Sequence, residues 1–245
     1  MNMFNKAYGY ILRHPATKRG YWGNWYYRGR YEQVLTRLLR FCKNNKITVL
    51  ELGCGSGIYA SYLGKKGCRC HYVGCDIERK PLRSAYKGKN IDYVLCDIHK
   101  LPFIPAYANI ILCSEVLEHV PDPYSTLTRI CELGTETLII TFPEEKLLQI
   151  LKDRHPEHIS AIEREEILRL LISKRLKIVF NSQIFSSFIP CGILEFLNVP
   201  QNGLTRTAVY SMDRLLKKIM PPSSVPHKTI MIEATQASSN QVAST

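Results

Sequence analysis

Glu115, Glu118 and His119 stand within five consecutive positions, directly after Ser114. The imidazole can serve as a general base near neutral pH. Two carboxylates and an imidazole can also hold a divalent cation that activates a hydroxyl. The plainer reading makes Glu118 and His119 supporting residues at the start of a helix, and no metal is assigned. A second set of chemically capable residues is acidic. Glu51, Asp76 and Asp97 each close an apolar run, and Asp76 lies 19 residues beyond Gly57. A carboxylate at Asp76, with Ile77 beside it, can accept from both hydroxyls of a ribose. One at Asp97 can accept from an adenine amino group while the Ile98 N–H serves a ring nitrogen. Each has a simpler reading, Asp76 as the cap of the following helix and Asp97 as a turn residue. Three acids at three successive strand ends are much less readily accidental.

These positions need elements to hold them. Apolar runs at 47–52, 70–75, 91–96, 109–114, 137–142, 176–180 and 229–234 read as strands. Helical spacing runs over 31–43, where Val34, Leu35, Leu38, Leu39 and Cys42 make one stripe, and over 58–66, 78–85 and 164–173. Asp122 and Pro123 mark a further helix start. Strands alternating with helices predict an α/β, doubly wound, mostly parallel sheet of seven strands. In such sheets ligands bind beyond the carboxyl ends of the strands, where the strand order reverses. Every residue singled out above falls at such an end.

Gly53, Cys54, Gly55 and Gly57 directly follow the first strand. Glycine there lets the backbone turn sharply and approach a ligand. The spacing G-x-G-x-G has Ile58 where a dinucleotide fingerprint needs glycine, and no Lys-Ser/Thr pair follows, which excludes a phosphate-binding P-loop.

Composition narrows the class. Nine cysteines, an odd number and without a C-x-x-C pair, read as reduced core thiols. No apolar stretch is long enough to cross a bilayer, and the first residues lack a signal-peptide pattern, so a cytoplasmic protein is expected. The net charge of +12 is uneven: residues 1–48 carry ten Lys/Arg and one acid, giving +9. That basic segment suits an anionic substrate, a nucleic acid or a membrane surface, or is a solvated face.

Taken in order, these segments resemble class I S-adenosylmethionine-dependent methyltransferases, in the broad family that includes quinone-biosynthesis O-methyltransferases. Val49-Leu-Glu-Leu-Gly-Cys-Gly-Ser-Gly57 resembles their first motif, and Tyr72-Val-Gly-Cys-Asp-Ile77 the second. Cys96-Asp97 with Leu101-Pro102-Phe103 is similar to the adenine-contact segment. Residues 109–123 are similar to the fourth motif. The resemblance implies a Rossmann-like methyltransferase fold with S-adenosylmethionine as cofactor. Glu51 would face the methionine amino end, and Gly53, Cys54, Gly55 and Gly57 would give backbone access. Asp76 and Ile77 would lie at the ribose, Asp97 and Ile98 at the adenine, and Ser114 and Glu115 near the methionine moiety. His119 and Glu118 would be the catalytic pair. Glu115, Glu118 and His119 also resemble the E-x-x-E-H metal ligands of some quinone-type and small-RNA methyltransferases, with His155 or His158 as a fourth.

The expected organisation is a methyltransferase domain over 1–235. It divides into an aromatic and basic lid and helix at 1–46, a cofactor-binding core at 47–142 and a small helical cap at 185–225. A disordered tail follows at 236–245. Tyr21, Trp22 and Tyr27 are expected at the pocket mouth, with Arg28 and Arg30 beside them. No Asn-Pro-Pro-Tyr, Asp-Pro-Pro-Tyr or Pro-Cys follows the fourth strand, which disfavours base amino- and cytosine-C5 methylation. The expectation is methyl transfer to a small-molecule acceptor, at oxygen. The alternatives are an RNA methyltransferase and a non-catalytic cofactor-binding partner protein.

Overall fold

A computed structural model describes residues 25–42, 46–143, 158–185 and 229–236, with isolated helical positions at 204, 205, 207, 208, 211, 212 and 215. In chain order the elements are α1 (Trp25–Cys42), β1 (Thr48–Leu52), α2 (Ile58–Lys65), β2 (His71–Asp76), α3 (Arg79–Ser84), β3 (Ile91–Leu95), β4 (Ile110–Ser114), α4 (Pro123–Glu132), β5 (Thr137–Pro143), α5 (Arg164–Ser173), β6 (Leu176–Phe185) and β7 (Thr229–Gln236). Short 3-10 turns cover Ile98–Lys100 and Leu117–His119.

The seven strands form one sheet in the order β3-β2-β1-β4-β5-β7-β6. β1 to β5 pair in parallel, whereas β7 runs antiparallel to both β5 and β6. The chain leaves β1 toward β2 and β3 on one side and returns to β4 and β5 on the other. The reversal therefore falls between β1 and β4, where a crevice opens beyond their carboxyl ends.

Side chains alternate across the sheet with period two. Leu50, Val73, Ile111, Cys113, Leu138 and Ile140 face α4 and α5, whose Leu127, Ile130, Ile167 and Leu171 complete that core. Val49, Tyr72, Ile110, Leu112 and Ile139 face α1 and α2, which contribute Val34, Leu35, Leu38, Tyr59, Ala60 and Leu63. The same alternation puts Glu51, Ser114 and Thr141 on the α1/α2 face, at its carboxyl rim.

The two largest boundary differences from the sequence reading are at α1 and β6. α1 starts at Trp25, ahead of the expected 31: the helical backbone runs through Gly29, and the buried face reaches back from Val34 to Arg30. β6 extends to Phe185 past its apolar run, held by pairing with β7 through two register shifts. α4 begins as expected: Asp122 accepts from the Ser125 N–H at 3.0 Å, with Pro123 in the first turn. Tyr21, Trp22 and His155, and most of the 185–225 cap and the 236–245 tail, lie outside the described residues. So do the side chains of Tyr27 and Arg28.

Candidate functional site

The β1–α2 loop is built by its own backbone and by Asp76. Gly53 and Cys54 N–H groups both donate to the Cys75 carbonyl, at 2.8 and 2.9 Å. Asp76 then accepts from Gly55 N–H at 2.7 Å through Oδ2 and from Glu78 N–H at 2.8 Å through Oδ1. Asp76 therefore ties the loop to the end of β2 before any ligand is considered. Gly55 and Gly57 hold φ of 51° and 70°, in the left-handed region that favours glycine. A methyl group on Gly57 would collide with the Tyr93 ring, whereas one on Gly55 would meet nothing within 4 Å. Gly55 thus leaves one face of the loop open for close approach. Ile77, next to Asp76, is 68% exposed on that rim.

Glu51 is buried and accepts a hydrogen bond from the Tyr72 hydroxyl. Burial first, and the nearby Asp76 charge second, hold its carboxyl well above the usual carboxylate range. Asp97 accepts from the His99 N–H at 2.8 Å and so starts the turn that contains Ile98. Asp76 holds a turn rather than capping α3, whose N-cap position is Glu78, and the half-buried Asp76 and Asp97 carboxylates each offer more acceptor positions than these bonds use.

At the end of β4 a polar circuit closes. Tyr59 and Ser114 hydroxyls lie 3.2 Å apart, and Ser114 and Thr141 hydroxyls 2.8 Å apart. Thr141 donates to Glu115 Oε1 at 2.9 Å, and Arg30 donates to Glu115 Oε2 at 2.5 Å. A carboxylate only accepts, so the chain orders as Tyr59 to Ser114 to Thr141 to Glu115. Tyr59 packs edge-on against Tyr31, at 5.4 Å, which returns the circuit to the residue after Arg30. Both Arg30 and Glu115 are largely buried, with side-chain exposures of 8% and 15%. Arg30 therefore points inward to the sheet, unlike the lid role expected of it. Its signal was in the sequence: it stands one helical turn before Val34 on the apolar stripe.

Beyond Glu115, Glu118 is fully buried. Burial, then the charge of Glu115, pushes its carboxyl well above the usual range. Both carboxylate oxygens are buried without a hydrogen-bond partner in the structure. The Glu118 carbonyl accepts from Ile159 and Ser160 N–H groups, at 2.9 and 3.1 Å, which brings the 158–160 segment onto the β4 loop. The His119 and His158 rings meet edge-to-face at 4.8 Å. Donor atoms of Glu118, His119 and His158 all lie within 4.8 Å of one another, with His119 exposed. One carboxylate and two imidazoles suit a divalent cation, and the unpartnered Glu118 oxygens supply the charge such an ion needs. Of the residues expected to ligate together, Glu115 is the one not brought into this cluster.

Residues 50–134 match the methyltransferase domain family. The match falls on β1 to α4, the half of the sheet that carries the crevice. The ubiquinone biosynthesis O-methyltransferase of Vibrio cholerae is 27% identical over 145 residues, covering 50% of this chain and 58% of that protein. The chain thus spans less than two thirds of that relative. The protein of the same description from Nitrosomonas europaea is 26% identical over 189 residues, covering 71% of this chain and 75% of its own length. Among solved structures, the magnesium protoporphyrin IX methyltransferase of Synechocystis, with bound S-adenosylhomocysteine, superposes with a TM-score of 0.59. It is 15% identical, over 86% of this chain and 85% of its own, a likeness of fold. The sheet is the seven-stranded, mostly parallel one expected. No helix among the described residues is long and apolar enough to cross a membrane.

Proposed function

We propose that this chain transfers the methyl group of S-adenosylmethionine to an oxygen atom of a small-molecule acceptor. The observation that carries the reading is the convergence of Glu118, His119 and His158 just past β4, at the rim that also holds the β1–α2 loop. A sulfonium methyl is already activated, so positioning supplies much of the catalysis. What a hydroxyl acceptor adds is a proton to be removed. In this reading the exposed His119 takes that proton, with the half-buried His158 ring packed edge-on against it and the buried Glu118 carboxyl nearby. Glu51, Gly53, Cys54, Gly55 and Gly57 would border the methionine end of the cofactor, with Ser114 and Glu115 opposite. Asp76 and Ile77 would border the ribose, and Asp97 and Ile98 the adenine. The similarity to O-methyltransferases of ubiquinone biosynthesis supports oxygen as the acceptor atom.

A second reading of the same cluster is favoured by the unpartnered Glu118 carboxylate. A divalent cation held by Glu118, His119 and His158 would bind the acceptor oxygen and make its hydroxyl more acidic. It would put a metal where the sequence reading assigned none.

The test is formation of S-adenosylhomocysteine from S-adenosylmethionine with a panel of phenolic and catecholic acceptors. Turnover should occur with at least one and fall about 100-fold or more in His119→Ala, the scale of a lost general base. Turnover with RNA oligonucleotides alone would replace this reading with the nucleic-acid one. Cofactor binding without turnover on any acceptor would make the chain a non-catalytic partner.

A further inference from the structure

We propose that Cys75 and Cys96, at the adjoining ends of β2 and β3, are a dithiol that peroxides close to a disulfide, and that closure loosens the hold on the cofactor. The second half rests on the assignment of Asp76 and Asp97 to the cofactor given above. β2 and β3 pair in parallel, with Cys75 opposite Val94 and Asp76 opposite Leu95. Side chains alternate along a strand, so Cys96, two residues past Val94, shares a face with Cys75. Both pack into the core beneath α4 and α5. The Cys96 N–H donates to the Asp76 carbonyl at 3.0 Å, and the two thiols are hydrogen-bonded to each other. Cys54 is set apart from them. Its sulfur covers the side of Gly74 that lacks a Cβ, on the opposite face of β2.

The two thiols differ in the way a peroxide-reactive pair requires. Cys75 is buried, whereas Cys96 is half-buried just beyond the last residue of β3. The hydrogen bond from Cys75 lowers the Cys96 pKa, and the same bond, with burial, raises that of Cys75. Cys96 is thus the thiolate that meets the oxidant, and Cys75 the thiol that resolves the product. The Cys96 sulfur attacks one peroxide oxygen and the O–O bond breaks. The other oxygen leaves as water, taking up the Cys96 proton. The Cys75 sulfur then attacks the sulfur of the sulfenic acid. An S–S bond forms, the S–O bond breaks, and the hydroxyl leaves as water with the Cys75 proton. Two electrons pass from the thiols to the peroxide.

Closure reaches the crevice because each cysteine directly precedes one of its carboxylates. Strand rise and spacing put Cα atoms with this offset roughly 7–8 Å apart, beyond the roughly 4.4–6.8 Å that a disulfide spans. The strand ends must therefore approach one another. β3 is the edge of the sheet, paired on one side only, so its end yields first and carries Asp97 with it. The Cys75 carbonyl holds the Gly53 and Cys54 N–H groups, so the β1–α2 loop is pulled by the same bond.

The experiment titrates the full chain with hydrogen peroxide and maps its peptides without reduction. A peptide linking Cys75 to Cys96 is expected, rising with peroxide and undone by dithiothreitol. Calorimetry should show the oxidised chain binding S-adenosylhomocysteine about tenfold or more weakly than the reduced one. By reciprocity the bound ligand favours the dithiol, so in glutathione buffers it should raise the pair's reduction potential by about 30 mV per tenfold. Cys96→Ala should remove the response of affinity to peroxide. Cys75→Ala should leave a Cys96 sulfenic acid that dimedone traps. Absence of the linked peptide from the unaltered chain, with Cys75 and Cys96 recovered as thiols or joined to other cysteines, would overturn the dithiol. A linked chain that binds S-adenosylhomocysteine as tightly as the reduced one would overturn the coupling alone. A reduced chain that binds no S-adenosylhomocysteine would overturn the cofactor assignment and the coupling with it, while the peptide map still decides the dithiol.

Discussion

Gly55 and Gly57 stand two residues apart in one loop, yet alanine at each should fail for a different reason. Both hold left-handed φ, 51° and 70°. For alanine that conformation costs about 1–2 kcal/mol. A chain of this size loses roughly 2–4 °C of melting temperature per kcal/mol. Gly55→Ala should therefore lower the melting temperature of the cofactor-free protein by roughly 2–8 °C, because its new methyl meets nothing within 4 Å. Gly57→Ala carries the same strain and must also move the Tyr93 ring. The Tyr93 hydroxyl donates to the Tyr86 carbonyl at 2.9 Å, so the ring is not free to swing. Overpacking of this kind adds about 1–3 kcal/mol, which brings the total to about 2–5 kcal/mol. For binding the order reverses. In the proposed function the open space at Gly55 is where the cofactor would come close, so its methyl group should weaken S-adenosylhomocysteine by about tenfold or more, or at least about 1.4 kcal/mol. Thermal melts of the cofactor-free variants and calorimetry with S-adenosylhomocysteine measure the two effects separately. A folded Gly55→Ala variant with unchanged affinity would refute the assignment of this loop to the cofactor. Equal melting temperatures for the two variants would refute the steric argument at Tyr93.

Three further outcomes follow from charge and burial. Glu51 has a raised pKa, so the cofactor-free protein holds it protonated where an ordinary carboxyl is ionised. A cationic ligand favours the ionised form, so S-adenosylmethionine should bind more tightly as pH rises, with proton release seen by calorimetry in two buffers. Glu51→Gln should flatten that dependence. In the cofactor-free state the sign is opposite: Glu51 costs stability progressively as pH rises from the unfolded carboxyl range toward its folded value. Arg37 lies 2.8 Å from buried Glu233 on β7 and stacks 3.5 Å over Phe180. Arg37→Met should cost about 3–5 kcal/mol in urea unfolding, because Glu233 is left buried and unpaired; Glu233→Gln in the same chain should recover part of it. A hydrogen bond from the Cys75 thiol lowers the Cys96 pKa. Iodoacetamide with peptide mapping should modify Cys96 ahead of Cys54, whose thiol burial pushes up, and S-adenosylhomocysteine should slow the reaction beside Asp97.

The sequence by itself determined the strands, their alternation with helices and the place of Asp76 and Asp97 after strands. These are local signals: apolar runs end in glycines or acids, and an acid at a strand end can be read without knowing its neighbours. Asp76 illustrates the limit of such reading. Its place at the end of β2 was legible, but its bond to Gly55 N–H was not, because 21 residues separate the partners.

Tertiary structure decided which way the polar side chains face and whom they meet. Arg30, in a segment that reads as an aromatic and basic lid, is turned inward by the helical period of α1 and meets Glu115 across 85 residues. Glu115 and Glu118 are equivalent in the sequence, two acids in one short motif. The turn after β4 gives one an arginine and a threonine, and buries the other beside His119 and His158. His158 reaches that cluster because the Glu118 carbonyl binds the backbone of Ile159 and Ser160. Residue type fixes what a side chain can do chemically. Which of two like carboxylates is left without a partner depends on long-range packing, and that is set only when the sheet has assembled.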